Sequence, residues 1–426
     1  MNFLLINPFI YDFACYDYWM KPLGLLYLSS ILKERGHGVE LIDCMDRHHP
    51  DLPESKDTQY GQGSYYNTRF EKPVALNKYP RKYSIYGMSG DILKKSLQQC
   101  KKPDLMILTS TMTYWYPAVK DIISMLRTIF PDVPAVLGGV YSTLCYEHAK
   151  NNIPADHILP GNDFSGLFDI IEEDNAPCFS DWPAPDYSYY RNMPYVAIRT
   201  SIGCYRHCSY CGIKSMGRNY VVKSTDKIEY EIEHLSEKNN TRDIVFYDES
   251  LLENRNLLEY LESSAKNLRF HTPNGIEVNK IDKDNAELLK KAGFIDPCLA
   301  IDVLDNSMHP GSTKKSNRDS IEEAVEYLHD AGYQKGEVSA YLIMGLPGQG
   351  IEEIRSGIEY IHGLGLKVKL AEYAIVPGSR DSWNFSKEVI EEPLFHNNSI
   401  FPSYELDQWD SIFKAKGLAR KLNNEF

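Results

Sequence analysis

The 426-residue sequence sets 46 Lys and Arg against 59 Asp and Glu, a formal charge of −13, with 25% charged and 43% hydrophobic residues. That length accommodates two domains with sizeable cores. The charge disfavours nonspecific binding to nucleic acid or to anionic membrane surfaces, while leaving room for a local basic pocket. The apolar runs are too short for a transmembrane helix, so no membrane span is expected.

The opening run Met1–Asn7 lacks a basic region and reads as a buried strand, not a signal peptide. Nine cysteines without framework spacing suit a reducing cytoplasm. Strands are predicted at 2–7, 39–43, 105–110, 135–138 and 157–159. Helices are predicted at 23–35, 92–99, 116–130, 141–151 and 164–172. This alternation predicts a parallel sheet covered on both faces, a flavodoxin- or Rossmann-like doubly wound α/β domain over 1–172. Ligands of such domains sit at the carboxyl ends of the strands, near the point where strand order reverses. A long interruption from His48 to about Gly90 carries the basic-aromatic stretch Tyr79-Pro-Arg-Lys-Tyr-Ser-Ile-Tyr86. It is either a lid or a solvated loop.

Residues 173–194, rich in proline, read as a linker. Strand–helix alternation resumes after it, with strands at 195–199, 244–247, 269–271, 298–302, 337–343 and 369–374. Helices are predicted between them, at 225–237, 255–267, 283–292, 319–331 and 352–363. An α/β domain over 195–381 is followed by an extension over 382–426, aromatic and then helical at 409–422, expected to pack against it.

The chemistry concentrates in Cys204-Tyr-Arg-His-Cys208-Ser-Tyr-Cys211. Three thiolates at CxxxCxxC spacing can hold three irons of a [4Fe–4S] cluster and leave the fourth open to a ligand. A zinc site completed by His207 and a chance grouping are the plain alternatives. The other six cysteines stand alone, without a second CxxC.

The motif, with an aromatic residue before its last cysteine, resembles the signature of the radical SAM superfamily. The resemblance implies that Cys204, Cys208 and Cys211 bind the cluster, and that the open iron chelates S-adenosylmethionine (SAM). It also implies a partial (β/α)6 barrel, reductive cleavage of SAM to a 5′-deoxyadenosyl radical, and an electron donor such as flavodoxin or ferredoxin.

Other strand ends fit that family. Asp248 and Glu249 follow an apolar strand, though either can instead cap the next helix. Asn274 and Gly275 can face a ligand. Gly345-Leu-Pro347-Gly348 resembles the glycine-rich fifth strand end that lies close to SAM. Asp302 ends the fourth strand, where the family more often has Glu near the ribose. Glu372, at the sixth strand, is a candidate near the adenine or substrate; ordinary loop chemistry is the alternative for both Asp302 and Glu372.

The pairing of a Rossmann-like domain with such a barrel resembles the cobalamin-binding subgroup of the family. Ser110-Thr-Met112 and Gly138-Gly139 resemble its cofactor contacts. The loop Pro8–Met20 has no histidine where some members ligate cobalt. Two readings stay open: cobalamin held without a protein ligand to cobalt, or a cavity filled by the loop's aromatics. The function implied is therefore radical SAM chemistry, with cobalamin-dependent methylation of an unactivated carbon, or non-methylating rearrangement, cyclisation or oxidation. A noncatalytic cofactor-binding protein is the reading from another class. The substrate, whether small molecule or peptide, is not legible, nor is a catalytic acid or base.

Overall fold

The computed structural model describes residues 1–217, 219–264, 267–304 and 317–426. Its contacts divide the chain into two compact units. One comprises Met1–Pro194, Ser215–Gly217 and Ser386–Ser399; the other comprises Tyr195–Lys214, Arg218–Phe385 and Ile400–Phe426. The 382–426 segment, expected as one extension, is thus shared between the two.

The strands of the first unit are β1 (Asn2–Asn7), β2 (Ile10–Asp12), β3 (Tyr16–Asp17), β4 (Gly38–Asp43), β5 (Gly63–Ser64), β6 (Asn67–Phe70), β7 (Tyr83–Tyr86), β8 (Leu105–Ser110), β9 (Ala135–Gly139) and β10 (His157–Ile158). Five of them form a parallel sheet in the order β10-β9-β8-β1-β4. This is the flavodoxin-like order, whose switch point lies between β1 and β8. The central strands read as continuous apolar runs because both faces are covered; Leu4, Leu5, Ile6, Met106 and Leu108 are all buried.

The helices of this unit are α1 (Leu23–Glu34), α2 (Gly90–Gln99), α3 (Tyr116–Ile129), α4 (Val140–Leu144), α5 (Tyr146–Asn152) and α6 (Ser165–Ile170). The helix predicted over 141–151 is broken at Cys145, whose φ of −125° and ψ of 42° leave the helical region. The 48–90 interruption is not structureless. It supplies β7, which pairs antiparallel with β2, β6, which pairs antiparallel with β7, and β5, which pairs with β3. These strands are two to four residues long, below the length at which alternation signals a strand.

The second unit contains β11 (Val196–Ile198), β12 (Ser201–Ile202), β13 (Val221–Val222), β14 (Asp243–Phe246), β15 (Arg269–His271), β16 (Cys298–Asp302), β17 (Ser339–Met344) and β18 (Lys367–Glu372). Its helices are α7 (Thr225–Asn239), α8 (Arg255–Ser264), α9 (Lys283–Ala292), α10 (Arg318–Asp330), α11 (Ile351–Gly363) and, in the tail, α13 (Trp409–Asn423); α12 (Lys387–Glu391) belongs to the first unit. Of the helix predicted over 255–267, residues 265 and 266 lie outside the described residues, and Asn267, at φ +71°, stands beyond the helix.

The six predicted strands form two parallel sheets, β11-β14-β15 and β16-β17-β18, joined by a parallel bridge between Ile276 and Leu299. Among the described residues no pairing closes this arc into a barrel. Phe246, Phe270 and Phe294 stack within its core at centroid separations of 5.4–6.0 Å. Functional side chains of such parallel units gather at the carboxyl ends of the strands.

Candidate active site around the cysteine loop

The cysteine loop leaves β12 and returns as β13, and these two pair antiparallel, Ser201 with Val222 and Ile202 with Val221. The excursion is therefore tied at its base. Gly203, just ahead of the first cysteine, has φ +83°, and a Cβ there would lie 2.1 Å from the Asn219 carbonyl oxygen. Only glycine permits that approach in that conformation.

Cys204, Cys208 and Cys211 line one cavity of about 290 Å³ with Arg206, Ile213, Lys214, Glu249, Asn274, Gly275, Glu277 and Ala300. All three thiols are partly accessible. His207 is exposed and does not line the cavity. Among the described residues, no three His, Cys, Asp or Glu side chains converge as ligands of one metal ion. Three sulfurs spread around one partly open cavity fit the three-cysteine requirement of a cluster with one open iron.

The two carboxylates after β14 divide their work. Asp248 is buried; it accepts from Thr200 Oγ1 and Ser201 Oγ, each at 2.6 Å, and from the backbone N–H of Thr200 and Ser201 at 3.2 and 2.5 Å. It fastens the chain leading to the cysteine loop and does not line the cavity. Burial pushes its carboxyl pKa up, opposed by these hydrogen bonds. Glu249 lines the cavity, held by Arg199 Nη1 at 2.6 Å and the Gly203 N–H at 3.0 Å. Asn274 also lines it while its amide donates to the carbonyls of Tyr247 and Asp248.

Glu277 is a site residue that sequence reasoning missed. It accepts from Arg206 Nε at 2.8 Å and Nη2 at 2.6 Å, and Ser250 Oγ lies 3.1 Å from it and 3.2 Å from Cys204 Sγ. The Glu277 hydrogen bonds hold the Arg206 guanidinium pKa above its ordinary value. The available signal was a carboxylate two residues beyond the Asn274-Gly275 strand end.

Other predicted residues stand outside this cavity. Asp302, buried and at φ +63°, accepts from Tyr210 Oη at 2.5 Å. Burial, then the neighbouring Asp302 charge, drives the Tyr210 phenol far above its ordinary pKa. Gly345, Pro347 and Gly348 form a turn stitched by buried Gln349. Its Oε1 accepts from the Gly345 N–H at 2.8 Å and its Nε2 donates to the Ile343 carbonyl at 3.0 Å. Glu372 pairs with Lys416 of α13.

In the first unit, Ser110 Oγ donates to the Met112 carbonyl at 2.8 Å, and Met112 packs against buried Ile10, Met45, Tyr65, Tyr86, Tyr114 and Trp115. Gly139 has φ +100°, and a Cβ there would sit 2.6 Å from Thr109 Oγ1; at Gly138 the Cβ position faces open space. The buried Asp12 carboxylate accepts from Trp115 Nε1 at 2.7 Å and Asn397 Nδ2 at 2.9 Å.

Residues 198–375 match the family model of the radical SAM superfamily. The second unit carries a radical SAM domain. Its family implies a [4Fe–4S] cluster and SAM, and the cysteine cavity lies within the matched residues.

Among solved structures the chain resembles the radical SAM methyltransferase TsrM from Kitasatospora setae with cobalamin and a [4Fe–4S] cluster bound. The TM-score is 0.66 at 16% identity, covering 91% of this chain and 78% of that one. It also resembles the cobalamin-dependent radical enzyme OxsB with aqua-cobalamin and SAM bound, TM-score 0.59 at 14% identity, covering 95% of this chain and 56% of that one. These likenesses establish a shared two-part fold, a flavodoxin-like unit with a radical SAM unit.

Curated relatives include the anaerobic magnesium-protoporphyrin IX monomethyl ester cyclase of Synechocystis sp., 23% identical over 349 residues, 72% of this chain and 62% of the relative. The enzyme of the same description from Rubrivivax gelatinosus is 22% identical over 317 residues, 63% of this chain and 56% of the relative. The chain therefore spans about three fifths of the length of these relatives. No helix among the described residues is long and apolar enough to cross a membrane.

Proposed function

We propose that the protein is a radical SAM enzyme whose cluster is held by Cys204, Cys208 and Cys211, and that it transfers a methyl group to an unactivated carbon with the help of cobalamin. The observation that carries the radical reading is the gathering of all three cysteines, Glu249 and Asn274 around one cavity at the strand ends. When bound, the cluster supplies the electron that cleaves SAM to methionine and a 5′-deoxyadenosyl radical.

The chain's own residues position and shield. Asp248 fixes the approach to the cysteine loop through Thr200 and Ser201. Glu249 presents a carboxylate, already oriented by Arg199, that would accept a hydrogen bond from the amino group of SAM. Asn274 and Gly275 offer a polar edge and a side-chain-free surface. Arg206 is neutralised and aimed by Glu277, so it does not oppose the cationic cosubstrate as a free charge.

Cobalamin is supported by the flavodoxin-like order, by the open space at Gly138 where a flat tail can pass, and by the cofactors named in the two structural neighbours. The 8–20 loop offers no imidazole, so the cobalt would lack a ligand from that loop. The names of the curated relatives favour a second reading, ring formation without methyl transfer. Anaerobic incubation of reconstituted protein with hydroxocobalamin, SAM and a strong reductant separates the two. Cobalamin-dependent S-adenosylhomocysteine beside 5′-deoxyadenosine is the expected result; 5′-deoxyadenosine alone, unchanged by cobalamin, supports the second.

A further inference from the structure

The 48–90 insertion builds a cavity that the radical chemistry does not use. Of about 540 Å³, it is lined by Arg69, Phe70, Glu71, Lys72, Asn77, Arg81, Lys82 and Tyr83. Four cationic side chains thus share one concavity with a single carboxylate, in a chain whose acidic residues outnumber its basic ones by 59 to 46.

Two of the four cations are not spent on neighbouring acids. Arg69 and Lys82 form no ion pair with a carboxylate among the described residues, and Lys72 Nζ donates to the Tyr79 carbonyl at 2.6 Å. Arg81 Nη1 donates to the Ser399 carbonyl at 2.5 Å, which orients the guanidinium.

The scaffold beneath is ordered. β6 and β7 pair through four residues, setting Arg69 opposite Ser84 and Phe70 opposite Tyr83. β7 pairs in turn with β2, the strand immediately after the carboxyl end of β1. The cavity therefore belongs to the ligand-binding end of a flavodoxin-like sheet. Like charges gathered in one concavity repel one another, and binding an anion reduces that repulsion. The volume is that of a small-molecule pocket, and aromatic Phe70 and Tyr83 supply apolar wall beside the charges.

We propose that this cavity binds the anionic group of a small molecule, a phosphate ester or a polycarboxylate, with Arg69 and Lys82 as the principal contacts. The site lies wholly in the first unit and stands whether or not the cysteine cavity does the chemistry proposed above.

The test is isothermal titration of the purified full-length chain with pyrophosphate and with citrate at low ionic strength. Saturable binding of at least one is expected, weakened tenfold or more in R69A/K82A and tightened in E71Q, which removes the one opposing charge. Tighter pyrophosphate binding assigns a phosphate ester, and tighter citrate binding a polycarboxylate. Absence of binding by both anions overturns the proposal, as does equal binding by wild type and R69A/K82A when circular dichroism shows both folded. An affinity unchanged in E71Q removes the cavity as the place of binding.

Discussion

At the scale of single residues, the carboxylates of the second unit separate into those that face the cavity and those that hold it. Asp248 reads in the sequence as a ligand-facing group, yet its oxygens are engaged by Thr200 and Ser201. Replacing it by Ala would leave buried N–H and O–H donors without an acceptor. Losing a buried, hydrogen-bonded carboxylate of this kind costs about 3 kcal/mol. D248A should therefore lower the denaturant midpoint and retain less iron after reconstitution; unchanged stability would contradict the supporting role. Asp302 is engaged in a similar way, since Tyr210 of the cysteine loop donates to its carboxylate. Strand-end position predicts that a carboxylate stands near a site, but its hydrogen-bond partner comes from an element distant in sequence. Glu277 shows the converse. It was invisible as a site residue because its partner Arg206 lies 71 positions away.

At the scale of elements, the long parallel strands were legible because four to six apolar residues in succession mark a strand covered on both faces. The short strands of the insertion were not, because β5 owes its form to pairing with β3, β7 to pairing with β2, and β6 to pairing with β7. At Gly139 the sequence suggested a cofactor contact. The structure adds a local demand, since any side chain would enter the β8 strand end at Thr109 and Ser110. G139A should lower stability by about 2 kcal/mol through left-handed backbone strain and the clash, read as a fall in melting temperature.

The segment Pro393–His396 carries a titratable element. His396 is buried, with Thr113 Oγ1 3.0 Å from its Nδ1 and the Ile390 carbonyl 3.0 Å from its Nε2. Those partners select a neutral ring that accepts at Nδ1 and donates at Nε2. Burial lowers its pKa to about 4. Between that value and about 6.5, the unfolded chain binds a proton that the folded chain does not, so stability rises with pH across the window. Acidification from pH 7 to 4 should thus remove up to about 3 kcal/mol through this group. Melting curves should show the slope in wild type and a flatter one in H396Q; equal slopes would contradict the assignment.

At the scale of the whole molecule, strand–helix alternation predicted two α/β units, and both carry parallel sheets. Alternation alone could not order the strands. The reversal between β1 and β8 depends on which edge each crossover returns to, and no local pattern records that choice. The cysteine spacing and the Gly-Leu-Pro-Gly turn were legible because each carries its chemistry within a few residues. The substrate was not, because its recognition draws on side chains collected from many strand ends. Neither the −13 charge nor composition points to the cationic cavity at Arg69 and Lys82, which the pairing of β6 with β7 assembles.

The most direct test of the central claim is anaerobic analysis of SAM products by mass spectrometry after cluster reconstitution, with a strong reductant present. The wild-type chain should release 5′-deoxyadenosine and methionine, and the variant with Cys204, Cys208 and Cys211 all replaced by Ala should release neither. Equal SAM cleavage by that variant, or no 5′-deoxyadenosine from wild type with its iron and sulfide shown in place, would contradict the account.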